Sequence, residues 1–102
     1  MSLYEKKAYQ ILDSMESVTS YEEQPFTISY EYDGQLFTYI PDILVYLIDG
    51  SMRLIEVKPE ERLSSPRVQA KHAAAEAFCI KKGWAFMVLM EVDLFRNERI
   101  DF

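Results

Sequence analysis

Six consecutive residues, Ile43 to Ile48, are hydrophobic, and a second largely apolar segment, Met52 to Lys58, follows the turn pair Asp49-Gly50. Side chains of a strand alternate between the two faces of its sheet. An unbroken apolar run of strand length therefore belongs to a strand covered on both sides. That requirement calls for a layered α/β domain, with helices on either side of a central sheet. The ends of these segments carry charge: Asp42 after Pro41 at one, and Glu56 and Lys58 at the other. Charges beside a core are paired, bound to a metal or used in chemistry.

The remaining elements fit around this hairpin. Ser2 and Glu5 form a capping-box pattern, and Leu3, Ala8, Ile11, Leu12 and Met15 recur at helical spacing, which predicts a first helix to about Glu16. Residues 17–24 form a linker with a short strand around Val18. Phe26, Ile28, Tyr30 and Tyr32 alternate with polar residues, Asp33-Gly34 turns the chain, and Gln35 to Ile40 returns as a strand. Ser65-Pro66 places an N-cap before a proline, and Gly83 stops the helix that follows. Trp84 to Met90 is a last strand and Val92 to Phe102 a tail. The expected architecture is α/β in the order α-β-β-β-α-β, with a central mixed β-sheet flanked by helices. At 102 residues the chain is expected to form a single domain, 1–102.

Composition narrows the class. No apolar run of 18 residues occurs, so no membrane span is expected, and the N-terminus lacks a secretion-signal pattern, which suggests a cytoplasmic protein. Cys79 is a lone cysteine in an alanine-rich helix and reads as a small core residue. The net charge of −6 argues against tight non-specific DNA binding by an isolated chain. The charge is uneven. Residues 1–56 hold ten acids against Lys6, Lys7 and Arg53, whereas residues 58–82 hold six cations against Glu60, Glu61 and Glu76.

Glu56 and Lys58 share a strand face about 7 Å apart. Asp42 joins them only if the hairpin pairs in even register, such as 42 with 58 and 44 with 56. A two-residue loop at Asp49-Gly50 puts Asp42 on the wrong face; a three-residue loop, Asp49-Gly50-Ser51, puts it on the right one, and a bend at Pro41 is another route. Two carboxylates on one face suit Mg²⁺ or Mn²⁺, and a lysine beside them supports charge building on a phosphate. A salt bridge, or solvated strand ends, would use the same three residues.

The stretch YIPDILVYLIDGSMRLIEVKPEERL resembles the core of the PD-(D/E)xK nucleases, which have a restriction-endonuclease-like fold. More narrowly, it is similar to TnsA, the endonuclease subunit of heteromeric bacterial transposases. The likeness extends through SLYE and VTSYEEQPFTISYEYDG upstream and AKHAAAEAFCIKKGWAFMVL downstream, to about residue 92. It implies metal-dependent hydrolysis of DNA, with Mg²⁺ (or Mn²⁺) held by Asp42, Glu56 and Glu5, and Lys58 as the motif lysine. TnsA can carry glutamine at the position of Glu56. Glu5 also has its capping-box explanation. The sequence stops short of the C-terminal domain with which TnsA contacts a transposition regulator.

Arg67, Lys71 and His72 lie on the second helix and are candidates for DNA contact, with a plain surface role as the alternative. Tyr30, Tyr32, Tyr39, Tyr46 and Trp84 read as packing residues. The expected partners are DNA, a transposase or other protein, and a second copy of the chain as a homodimer. Two other readings fit the same residues: a phage- or resolvase-type nuclease acting on branched DNA, and a non-catalytic nuclease-fold scaffold that binds a protein.

Overall fold

The computed structural model describes residues 2–95, Ile100 and Phe102. Helix α1, Leu3–Ser14, is followed by β1 (Val18–Glu23), β2 (Ile28–Tyr32), β3 (Gln35–Tyr39), β4 (Ile43–Leu47) and β5 (Met52–Val57). A 3-10 turn, Glu60–Arg62, leads to α2 (Pro66–Lys82), β6 (Ala85–Leu89) and α3 (Glu91–Phe95). A four-stranded sheet has the order β1-β4-β5-β6, with β5 and β6 parallel and the other neighbours antiparallel. The sheet is therefore mixed, as expected.

The two faces of β4 explain its continuous hydrophobicity. Ile43, Val45 and Leu47 join Ile55, Val57 and Leu89 in a core against Ala8, Tyr9 and Leu12 of α1 and Leu94 of α3. Leu44 and Leu54 point the other way and pack with Ile28, Ala75 and Cys79. Apolar burial on both faces is the main stabilising contribution. Cys79 is 1 % exposed and serves as a core residue.

Several boundaries differ from the sequence expectation. Helix α1 ends two residues early because Met15 is already extended and the chain must reach β1, where the Ile48 amide donates to Ser17 O at 2.9 Å. The short strand near Val18 is a full edge strand, pinned by Tyr21 Oη donating to Asp13 at 2.8 Å. Strands β2 and β3 form a separate hairpin instead of extending the central sheet. Pro41 has no amide hydrogen to continue a ladder, and the inner face of the hairpin, Ile28, Tyr30, Phe37 and Tyr39, packs on the α2 side. The tail expected from Val92 begins as α3, where Asp93 Oδ2 accepts from the Met90 amide at 2.8 Å; residues 96–99 and 101 lie outside the described residues.

Helix α2 keeps the boundaries its sequence announces. Ser65 Oγ accepts from the Val68 amide, Pro66 opens the first turn, and Gly83 closes the helix at φ +76°. Among the described residues no helix is long and apolar enough to cross a membrane.

Candidate active site

The β4–β5 hairpin sets the geometry of the site. Its register pairs Ile43 with Ile55, Leu44 with Leu54, Val45 with Arg53 and Tyr46 with Met52. The turn is a three-residue loop, Ile48-Asp49-Gly50. The Leu47 amide donates to Ser51 O at 3.0 Å, and the Gly50 amide donates to Leu47 O at 3.0 Å. Gly50 occupies the left-handed position at φ +87°, which the bulged end of such a loop requires. The register is even, but the loop begins one residue earlier than the sequence suggested. One step beyond Ile43 and Ile55, Asp42 therefore stands across from Glu56, with Lys58 one strand repeat farther out.

Asp42 is held firmly. Its Oδ2 accepts from the Val57 amide at 2.7 Å, and its carbonyl accepts from the Gln24 amide at 2.8 Å. Pro41 before it is buried in the core. Glu56 is only 4 % exposed and lies within hydrogen-bonding reach of Asp42, yet its Oε1 has no partner. Burial and the neighbouring Asp42 carboxylate push Glu56 up to about 8. Burial also raises Asp42, against the opposing effect of the Val57 N–H. Both shifts favour a proton held by the pair, chiefly on Glu56. Lys58 draws both values down, so its ammonium is in electrostatic range of both acids. Its amide donates to Leu89 O at 3.1 Å, which ties this end of β5 to β6.

A cleft of about 430 Å³ opens here, lined by Ser2, Glu5, Asp42, Lys58, Pro59 and Arg62 among others. Glu5 enters it from the first turn of α1, and its charge raises Asp42. Ser2 caps the helix as expected: the Glu5 amide donates to Ser2 Oγ, and Ser2 Oγ in turn donates to Glu5 Oε1, each at 3.1 Å. Glu5 thus lines the cleft while engaged as a cap. Among the described residues, no three acidic, histidine or cysteine side chains are gathered closely enough to form a ready-made metal cage.

The α2 candidates face the β2–β3 hairpin and β6, with Lys71 in electrostatic range of Glu56 and His72 in range of Lys58. Arg67 Nε donates to Tyr30 Oη at 2.9 Å, and its guanidinium lies 4.3 Å from the Phe37 ring centre. Lys71 Nζ lies 5.8 and 5.7 Å from the Tyr30 and Tyr39 rings, and Tyr39 Oη donates to Lys71 O at 3.2 Å. Both cations clamp the β2–β3 hairpin to α2. His72 packs its ring against Phe86 and buries an unpartnered Nε2. Burial, with Lys58 and Lys71 nearby, lowers its pKa. Tyr30, Tyr39 and Trp84 pack as expected.

Sequence reasoning missed Arg62. Nothing in Pro59-Glu60-Glu61-Arg62 marks it, because only the 3-10 turn brings it back beside Lys58. The Val57 amide as the anchor of Asp42 was equally invisible, since it follows from the register.

A mixed α/β sheet with Asp42 entering one central strand and Glu56-Val57-Lys58 closing the next defines the restriction-endonuclease-like class. The family model described as "TnsA-like endonuclease N terminal" matches residues 15–91. The chain belongs to that family of nuclease domains. The matched span includes Asp42, Glu56 and Lys58 and excludes Glu5. No curated protein matches the chain at a significant level.

The residues present fit a small divalent cation. Two carboxylates meet at the strand ends, and one buried oxygen is left without a partner. Mg²⁺ is commonly held by one or two carboxylates while it keeps several waters.

Proposed function

We propose that this domain is a Mg²⁺- or Mn²⁺-dependent endonuclease that hydrolyses DNA phosphodiester bonds. The observation that carries the reading is the pairing of half-buried Asp42 with buried Glu56, whose Oε1 is unpartnered, next to Lys58. A buried acid pair that served only as structure would be costly, because each carboxylate raises the burden on the other.

Asp42 and Glu56 would hold the cation, with Glu5 as a third acid at the cleft wall. When bound, the cation supplies positive charge at the scissile phosphate. The Val57 amide fixes the orientation of Asp42 before any ligand arrives. Lys58 orients the attacking water and stabilises negative charge on the phosphate oxygens in the transition state.

The acidic balance of the chain supplies little general attraction for DNA. We assign the missing positive surface to a partner, a transposase-type protein or a second copy of this chain. Residues 1–102 act in this reading as one nuclease unit. Nicking of supercoiled plasmid by the purified chain, with and without a candidate partner, tests the proposal. Activity in Mg²⁺ or Mn²⁺ that EDTA and Asp42→Ala both abolish is expected. Metal-independent nicking, or nicking that survives Asp42→Ala, would contradict it.

A further inference from the structure

Arg62 shares the cleft with Asp42 and Lys58. It is exposed, and among the described residues its guanidinium has no hydrogen-bond, ion-pair or ring partner. The other described arginines are committed: Arg53 donates to Met52 O, and Arg67 is held by Tyr30 and Phe37.

The backbone that carries Arg62 is fixed. Its amide donates to Pro59 O at 3.0 Å, and its carbonyl accepts from Ser65 at 3.2 Å, where α2 is capped. The Glu60 amide donates to Glu91 Oε1 at 2.8 Å, which fastens the turn to α3. Such a series of closed turns gives the Arg62 side chain a defined origin, four residues beyond Lys58 and on the same cleft.

The cleft lining carries both charges: Glu5 and Asp42 are acids suited to a cation, and Lys58 and Arg62 are bases suited to an anion. Lys58 is half-buried beside the acids, whereas Arg62 lies at the outer rim. A planar guanidinium matches two oxygens of a phosphate, which an ammonium cannot do in the same way. We infer that Arg62 is a positioning residue that binds the DNA backbone phosphate next to the scissile one. The inference rests on the nuclease reading and adds a second phosphate contact to it.

A contact to a phosphate that does not react stabilises the ground state and the transition state alike, so its loss appears in KM and not in kcat. The test is fluorescence anisotropy of a labelled DNA duplex in Ca²⁺ across a KCl series. The proteins are wild type, Arg62→Ala, Arg62→Lys and Lys81→Ala. Lys81 is exposed near the C-terminal end of α2, away from this cleft, and its loss changes net charge by the same amount. Arg62→Ala is expected to weaken binding by about tenfold at low salt, the scale of one charge-assisted contact. It should also flatten the log–log salt slope by about 0.9, the loss of one phosphate contact. Arg62→Lys should restore the slope with only part of the affinity. Lys81→Ala should behave as wild type. In cleavage assays Arg62→Ala should raise KM and leave kcat unchanged.

Equal behaviour of Arg62→Ala and Lys81→Ala overturns the inference, as does a fall in kcat with KM unchanged. A wild type that cleaves with an Arg62-independent KM removes this inference alone. A wild type that binds duplex through Arg62 but never cleaves removes the nuclease reading and keeps the phosphate site. A wild type that does neither, with a transposase-type partner added, removes both.

Discussion

Asp42 faces Glu56 across the open end of the β4–β5 hairpin, and its Oδ2 takes the Val57 amide at 2.7 Å. This places one carboxylate under backbone control and leaves the other, buried beside it, with an unpartnered oxygen. The proposed cation site rests on this unpartnered oxygen beside the fixed carboxylate.

The proton on Glu56 gives a pH signature. Burial and Asp42 raise its folded pKa to about 8, well above its ordinary value. Stability from this group is fully present below about pH 4.5 and is lost as pH rises through about 8. Thermal melts of metal-free wild type minus those of Glu56→Gln should therefore decline between pH 5 and pH 9. Mn²⁺ added at pH 8 should recover the loss in wild type only. A difference that stays flat with pH would contradict the shared proton.

The Arg67 clamp makes an opposite claim to a DNA contact. Losing its bond to Tyr30 and its place over Phe37 should reduce stability by about 1–2 kcal/mol. Urea unfolding of Arg67→Ala measures this, and the salt slope of duplex binding should stay at the wild-type value. An unaltered midpoint with a flatter slope would return Arg67 to the DNA surface.

Gly50 tests what holds the register. Nothing lies within 4 Å of the point where an added Cβ would stand, so Gly50→Ala meets no clash and suffers only the strain of φ +87°. A loss of about 1–2 kcal/mol in stability, read from the denaturant midpoint, is expected, with metal affinity retained. Loss of metal binding in a folded Gly50→Ala protein would show that the loop and not the paired core sets the position of Asp42.

Cys79 should be inert. It is buried, and burial pushes its thiol up to about 11. Ellman's reagent at pH 8 should react only after unfolding, at a rate that follows global stability. Rapid labelling of the native protein would mean that α2 opens locally.

Much of this architecture is written in local signals. The Ile43–Ile48 run announces a doubly covered strand, and Ser65-Pro66 with Gly83 bounds α2 to the residue. The even hairpin register follows from loop chemistry, yet its placement by two residues does not. Ile48 continues the hydrophobic run but is 71 % exposed, because the left-handed position must fall on Gly50 and the loop therefore begins at Ile48. The departure of β2–β3 from the main sheet is also hidden, since period-two alternation is the same whichever partner covers the inner face. Arg67 and Lys71 look like surface cations because the aromatic rings that hold them lie 30 or more residues away in sequence.

The most direct test of the central claim separates metal binding from rate at Lys58. Its ammonium cannot ligate Mg²⁺, and in the proposed reaction it acts on the water and the phosphate. Mn²⁺ calorimetry and plasmid nicking should be run on wild type, Lys58→Ala and Asp42→Ala, with a partner protein added where one is identified. Lys58→Ala should bind Mn²⁺ as well as wild type or slightly better, while its nicking rate falls by about 10²–10³. Asp42→Ala should lose both. Nicking by Lys58→Ala at the wild-type rate, or a wild type that neither binds Mn²⁺ nor nicks DNA with its partner, would contradict the account.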